Sequence, residues 1–406
     1  MSTENPQAAR GVRVSQSGGK FQLIRNGQPF FIKGVGGDAS KELLVQCGGN
    51  SFRTWGAEGI GEILDEAHRL NLAVTVGIWL KHPNDMDYGD PVAVKAQFEM
   101  AKQVVSQYKD HPALLIWAFG NEMEGDSRDI RIWKAVNDIA KMSKQIDPNH
   151  PTMTVIADIG DQRVPNLHQH CPDIDIVGIN SYGGAFTLKD RYLKAGGKKP
   201  YILTEFGPLG QWEVGKTPWD APIEMSSTEK AKLYGEAYQK AVLDADGLCL
   251  GSYAFLWGNK QEATSTWFGM LLPDGKRLAA IDVMTKLWSG KPQPNLSPNL
   301  LSLKVSQSTN LKPGDIITAS VEYTDPESDP IKAEWRVMSE ARIRYTAGRP
   351  EPVPESYPDA VIKVEGKVAT IKIPDMSGGL RIFAYIYDSA GGAAVHNIPI
   401  LVGSGS

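Results

Sequence analysis

The chain has 406 residues, 41% of them hydrophobic and 22% charged, with a formal net charge of −4. This length exceeds one ordinary domain, and the balance is that of a globular protein with a sizeable core. The small negative charge leaves no basic footprint for nucleic acid or an anionic membrane, and no apolar run approaches the ~20 residues of a spanning helix, so a neutral partner such as a sugar fits.

Met1 to Arg10 is polar and lacks the apolar stretch of a signal peptide; a secreted or periplasmic protein whose export signal is removed is the expectation. Val12–Ser15 and Lys20–Arg25, followed by the turn-forming Asn26-Gly27, predict a hairpin within residues 1–29. Over residues 30–289, short apolar runs alternate with longer amphipathic ones, which predicts repeated βα units. The eight predicted strands are Phe30–Val35, Ser51–Trp55, Ala73–Leu80, Leu114–Phe119, Thr152–Ala157, Ile174–Asn180, Tyr201–Thr204 and Leu248–Leu256. Predicted helices include Gly59–Leu70, Pro91–Tyr108, Asp129–Ile146, Ser227–Leu243 and Arg277–Leu287. Eight such units predict an α/β fold, a (β/α)8 TIM barrel. The N-terminal hairpin is expected to cover the bottom of that barrel.

Residues 290–300 form a stiff proline-rich linker. Residues 301–402 change to seven short alternating strands: Leu303–Val305, Ile317–Tyr323, Ala333–Val337, Ala360–Val364, Ala369–Ile373, Leu380–Asp388 and His396–Leu401. That number and size predict an all-β, immunoglobulin-like sandwich, expected to be an accessory domain. Residues 403–406, Gly-Ser-Gly-Ser, read as a cloning scar. The acidic turn Asp325–Pro330 has the residues of a calcium loop, but turn residues between strands need no metal, and no metal is expected. Cys47, Cys171 and Cys249 are too widely spaced for a metal-ligand pair and are expected as buried side chains.

Two stretches stand out in the barrel region. Trp117-Ala118-Phe119-Gly120-Asn121-Glu122 and Tyr201-Ile202-Leu203-Thr204-Glu205-Phe206-Gly207 each end an apolar strand on a glutamate. A charge there is costly unless it is hydrogen-bonded or used, and two carboxylates on separate strands are what glycosidic hydrolysis requires.

Together with Phe31-Ile32-Lys33-Gly34-Val35 and Asn50-Ser51-Phe52-Arg53-Thr54-Trp55, these stretches resemble clan A of the glycoside hydrolases, and within it the family 2-like catalytic barrel, over roughly Phe21 to Trp288. The resemblance implies a retaining β-glycoside hydrolase without a cofactor, with Glu122 as acid/base and Glu205 as nucleophile. It implies that Asn121 holds the sugar 2-hydroxyl, that Arg53 and Tyr182 contact the nucleophile, and that Trp257 forms an aromatic floor under the sugar. Trp55, Trp79, Trp212, Trp219 and Trp267 are candidates for further subsites, and Asp38, His82, Asp158 and Glu124 are polar candidates near strand ends.

The chain departs from family 2 in lacking the Asn-x-His turn after the first strand and the Ser/Thr-His-x-Pro turn after the second. Here these are Gly34-Val35-Gly36-Gly37-Asp38-Ala39-Ser40 and Arg53-Thr54-Trp55-Gly56. Cys47 to Trp55 also faintly resembles the fungal β-1,3-glucanosyltransferases. The expected substrates are therefore β-linked glucans or gluco-oligosaccharides. A transglycosylase using the same glutamates and a non-catalytic carbohydrate-binding barrel stand as alternatives.

Overall fold

The structure, a computed structural model, describes residues 11–125, 128–345 and 350–403. The expectations for Met1–Arg10 and for Ser404–Ser406 of the scar lie outside the described residues. The contacts divide the chain into two compact units, Met1–Phe206 with Glu236–Phe255, and Gly207–Gly235 with Leu256–Ser406.

The first unit opens with an antiparallel sheet of β1 (Val12–Ser17), β2 (Lys20–Arg25) and β3 (Gln28–Phe30). The barrel strands come next: β4 (Ile32–Gly36), β5 (Ser51–Arg53), β6 (Ala73–Ile78), β7 (Leu114–Asn121), β8 (Thr152–Ala157), β9 (Ile176–Asn180), β10 (Tyr201–Phe206) and β11 (Cys249–Phe255). They close in the order β10-β11-β4-β5-β6-β7-β8-β9, every pairing parallel. Every residue of β6, β7, β9, β10 and β11 is buried. Strands buried on both faces read as continuous apolar runs, which is why the sequence displayed them.

The helices start where the sequence supplies caps. Ser40 caps α1 (Lys41–Gln46) by accepting from the Leu43 amide, and α2 (Ile60–Arg69) buries Ile60, Leu64 and Ala67 on one face. Asp90 caps α3 (Pro91–Tyr108) and Asp129 caps α4 (Ile130–Ile146), the side-chain oxygen satisfying an amide that lacks a helical partner. Three shorter helices, α1, α5 (Arg163–His170) and α6 (Leu188–Lys194), are absent from the sequence expectations. Each has about two turns, too short for apolar periodicity to register. The helix predicted over Ser227–Leu243 is α7 (Ser227–Ala237) followed by a π-helical turn, Tyr238–Val242.

The N-terminal sheet covers the barrel bottom as expected. The Val12 amide donates to Asn149 O and the Phe21 amide to Gly247 O, just ahead of β8 and β11, and Arg25 reaches Pro112 O ahead of β7. Val12 and Leu23 join Ile32, Leu115, Met153 and Leu250 in one apolar cluster. Higher in the interior, Tyr253 OH contacts Ser51 Oγ at 3.0 Å and Thr75 Oγ1 at 2.5 Å. A Cβ at Gly34 would stand 2.5 Å from the Tyr253 ring, so only glycine fits there.

The second unit contains β12 (Arg277–Leu278), α8 (Ala279–Ser289), β13 (Asn299–Val305), β14 (Ile316–Thr324), β15 (Lys332–Ser339), β16 (Val361–Glu365), β17 (Val368–Lys372), β18 (Gly378–Tyr387) and β19 (Gly392–Val402). They form two four-stranded sheets, β12-β19-β18-β15 and β13-β14-β17-β16. All seven strands predicted for 301–402 are present, and Leu303, Ile317, Val337, Ile371, Ile382 and Ile400 lie in their common core.

The sandwich expected over 301–402 is not a separate compact body. Leu272 and Leu278 pack with Phe383, Tyr385, Ala393 and Val395. β12 pairs with β19, and the amides of Val395 and Leu300 donate to Ser227 Oγ and Thr228 Oγ1. Apolar and hydrogen-bonded complementarity therefore draws 207–235 and 256–289 into the sandwich unit, ahead of the linker where the boundary was expected. The acidic turn gathers carboxylate oxygens of Asp325, Glu327 and Asp329 within 4.8 Å. These accept from the Asp329 amide, the Leu296 amide and Asn295 Nδ2 respectively, which ties the linker to the turn. The three cysteines are free and buried, and no helix among the described residues is long and apolar enough to cross a membrane.

Candidate active site

Both glutamates stand at C-terminal strand ends of the first unit, where βα loops of such barrels carry their chemistry. Each strand is irregular at that end. The pairing of β7 with β8 shifts register between Ala118 and Asn121, and β10 shifts against both neighbours beyond Leu203. Bulges of this kind re-aim side chains next to functional sites. Gly120 has φ 72° and Glu122 φ 53°, an uncommon conformation for a glutamate, held here by the Glu122 amide donating to Val155 O at 2.9 Å.

Three donors converge on Glu205. Trp55 Nε1 donates to Oε1 at 2.9 Å, Arg53 Nη1 approaches the same oxygen at 3.4 Å, and Tyr182 OH donates to Oε2 at 2.9 Å. Arg53, 2% exposed at the end of β5, also reaches Thr204 O at 3.0 Å, Asn180 Oδ1 at 3.3 Å and Asn121 Oδ1 at 2.9 Å. Its guanidinium lies 4.9 Å from the centre of the Trp55 ring. Around this corner Phe255 meets Trp55 edge-on at 6.0 Å and Tyr182 at 6.2 Å.

Glu122 has a different environment. Asn180 Nδ2 donates to its Oε1 at 2.8 Å. Burial above all, then the negative charge of Glu205, pushes its carboxyl up to about 7, against which Asn180 and Arg53 pull. Glu124 adds to the upward push; it is itself buried and raised by burial, accepts from the Ala157 amide at 2.6 Å and is 3.2 Å from Arg163 Nε. One carboxyl thus holds a proton near neutrality while the other faces three donors that a carboxylate can accept from.

Asn121 Oδ1 accepts from both Arg53 Nη2 at 2.9 Å and Asn180 Nδ2 at 3.2 Å. This fixes the amide, with its carbonyl oxygen inward and its Nδ2 left to donate to a bound molecule.

The structure therefore brings together Arg53, Trp55, Asn121, Glu122, Tyr182 and Glu205. Trp55, expected as a subsite wall, is a direct donor to Glu205. Trp257 is corrected: it is 0% exposed, with no ring face open to a sugar, and Trp55, Tyr182 and Phe255 form the aromatic corner instead. Trp267 is likewise buried, its Nε1 donating to Leu209 O. Trp79 is 40% exposed just beyond β6 and stacks on His82 at 5.6 Å.

Trp212 is exposed and packs near Phe268 within the second unit, and Trp219 is half-buried there. Asp38 is exposed after β4, with no described hydrogen bond to either glutamate. Asp158 is held by Ser181 and Arg191. Sequence reasoning missed Asn180, Thr204 and Phe255. Asn180 carried a readable signal, being a polar residue that ends an apolar strand as Asn121 does.

Residues 59–243 match the family model for the glycosyl hydrolases family 2 TIM barrel domain. Mouse β-glucuronidase is 25% identical over 273 residues, 59% of this chain and 38% of that protein. The probable mannan endo-1,4-beta-mannosidase F of Aspergillus flavus is 29% identical over 157 residues, 31% of this chain and 33% of that protein. The chain thus spans well under half the length of these curated relatives. Among solved structures, the β-D-glucuronidase of Dictyoglomus thermophilum aligns at a TM-score of 0.53 with 20% identity, over 70% of this chain and 54% of that one. The Bacteroides uniformis β-glucuronidase aligns at 0.53 with 13% identity, over 96% and 48%. The chain thus contains a closed eight-stranded barrel with glutamates at the ends of its fourth and seventh strands, and its residues 59–243, just under half of its length, are similar to the glycosyl hydrolases family 2 TIM barrel domain.

Proposed function

We propose that the chain is a retaining β-glycoside hydrolase in which Glu122 protonates the leaving oxygen and Glu205 attacks the anomeric carbon. The observation that carries this is the unequal treatment of the two carboxyls, one raised to about 7 and the other met by donors from Arg53, Trp55 and Tyr182. Double displacement asks for this division of labour, and water activated by the deprotonated Glu122 then releases the sugar. Asn121 Nδ2 takes the 2-hydroxyl, a contact that tightens in the transition state.

For the substrate we propose a neutral β-linked hexopyranoside, with β-glucans and gluco-oligosaccharides as the leading class. Among the described residues, Arg53 is the one cationic side chain hydrogen-bonded to either glutamate, and it is already engaged by Glu205, Asn121 and Asn180. A uronic acid would need another cation for its carboxylate. The glucuronide reading is favoured instead by the names of the curated relatives. Side-by-side kcat/KM values for aryl β-glucoside, β-mannoside and β-glucuronide test this. A clear preference for the glucuronide overturns the neutral-sugar reading and leaves the mechanism standing. Longer oligosaccharides accumulating from a short donor would show a sugar hydroxyl, rather than water, resolving the glycosyl-enzyme.

A further inference from the structure

Asn180 is the last residue of β9, 3% exposed, and all its side-chain hydrogen-bonding capacity is engaged within the cluster. Its Oδ1 accepts from Thr204 Oγ1 at 2.8 Å and Arg53 Nη1 at 3.3 Å. Its Nδ2 donates to Glu122 Oε1 at 2.8 Å and Asn121 Oδ1 at 3.2 Å. The two acceptor contacts decide which way the amide faces, because a flipped amide would turn its NH2 towards the Arg53 donors. Thr204, fully buried beside the nucleophile, thereby directs the N–H of Asn180 at the acid/base.

We propose that Asn180, oriented by Thr204, is a positioning residue that holds Glu122 in its reactive rotamer and favours the deprotonated carboxylate needed to activate water in the second step. This rests on Glu122 being the proton donor. The groups around that carboxyl act in opposite senses: Glu205 on β10 and Glu124 on its own turn oppose its ionisation, while Arg53 on β5 and Asn180 on β9 favour it. Arg163 faces Glu124 from behind. Asn180 is the neutral member of this set, so its effect comes through a directed hydrogen bond, which a charge-assisted geometry makes strong.

Replacing the donor has a signed consequence. In Asn180→Ala the Glu122 carboxylate loses its donor, its protonated form persists to higher pH, and the alkaline limb of kcat/KM moves up by about one pH unit, the worth of one hydrogen bond to a charged group. The acid limb of kcat moves up too when an activated aryl leaving group makes the second step limiting. Asn180→Asp keeps the acceptor but removes the donor and adds a charge, so the limb moves further.

Thr204→Val, nearly isosteric, leaves Asn180 in place but oriented by Arg53 alone, and gives a smaller shift in the same direction. It also keeps the test available should the Asn180 variants fail to fold. Carbon NMR titration of the Glu122 carboxyl gives the same readout without turnover. Upward shifts ranked Asn180→Asp, Asn180→Ala, Thr204→Val support the assignment. Active variants that lose rate uniformly with an unmoved limb, and an unmoved Glu122 titration, overturn it. A wild type that turns over no glycoside overturns the hydrolase reading and, with it, this one.

Discussion

Each unit buries a cluster of charges, and the two clusters are built to opposite ends. In the sandwich unit Glu224 accepts from Lys230 Nζ, Thr264 Oγ1, Thr266 Oγ1 and Asn397 Nδ2, and Arg381 joins Asn397, Pro222 O and Glu340. Burial alone would raise the Glu224 carboxyl, but Lys230, then the Thr264 hydroxyl and Arg381, outweigh it and hold it below its ordinary value. In the barrel unit Glu122 and Glu205 face the single guanidinium of Arg53, Glu124 beside Glu122 is paired with Arg163 instead, the Glu122 carboxyl is raised, and Asn121 Oδ1 is held by Arg53 and Asn180. A satisfied cluster is a device of folding. One left short of positive charge stores a proton at some cost in stability, the arrangement that the proposed proton donor calls for.

The largest effects should separate the clusters outright. A chain cut after Pro294 loses β13 to β19 and uncovers Leu272 and Leu278, which pack against Phe383 and Val395. We expect it to be insoluble; recovery of soluble, folded protein at full yield would make the sandwich a detachable accessory. Glu205→Gln should lose all turnover while its Tm stays equal or rises, since it removes a charge from an acid-rich site. In the sandwich unit, by contrast, Lys230→Met strands Glu224 without its cation, and urea unfolding should show a loss of about 3–5 kcal/mol.

Next comes pH. The Glu122 carboxyl is protonated in folded and unfolded chains below about 4.5; as pH rises towards 7 the unfolded chain ionises freely while the folded one resists. Its contribution to stability therefore falls across that window and stays low above it. Glu122→Gln should be more stable than wild type by on the order of 3 kcal/mol at pH 8 and by little at pH 4. Equal gains at both pH values would detach the effect from titration. Wild-type kcat/KM should fall as pH rises through about 7, as the acid is lost. The smallest effect is at Trp79: Trp79→Ala should raise KM for oligosaccharides by about 5-fold, the worth of one aromatic stacking contact, and leave aryl glycosides unchanged. An equal rise for both would place Trp79 under the reacting sugar.

How legible each feature is in the sequence depends on the physics behind it. Runs such as Leu114–Asn121 and Tyr201–Phe206, buried on both faces, announce barrel strands from composition alone, and strand-end glutamates announce their own cost. The unit division was not legible because it depends on tertiary pairing, β12 on β19 and Leu272 on Phe383, across more than a hundred residues. Proline richness at 290–298 marks a stiff segment but says nothing of what packs on either side of it. Trp257 failed for a related reason: sequence places an aromatic near a site but does not say whether its face is open. Trp55 and Asn180 were visible as residues, and only their hydrogen-bond directions needed coordinates.

In the proposed mechanism Glu205 becomes covalently bonded to the sugar while Glu122 manages the protons. A 2-deoxy-2-fluoro β-glycoside of the sugar chosen by the substrate screen, carrying a good leaving group, should slow the second step and let the glycosyl-enzyme accumulate. Peptide mapping by mass spectrometry should then find one added sugar on Glu205 in the wild type and none in Glu205→Gln. An adduct on another residue, or steady turnover with no adduct and an inverted product, would contradict this mechanism.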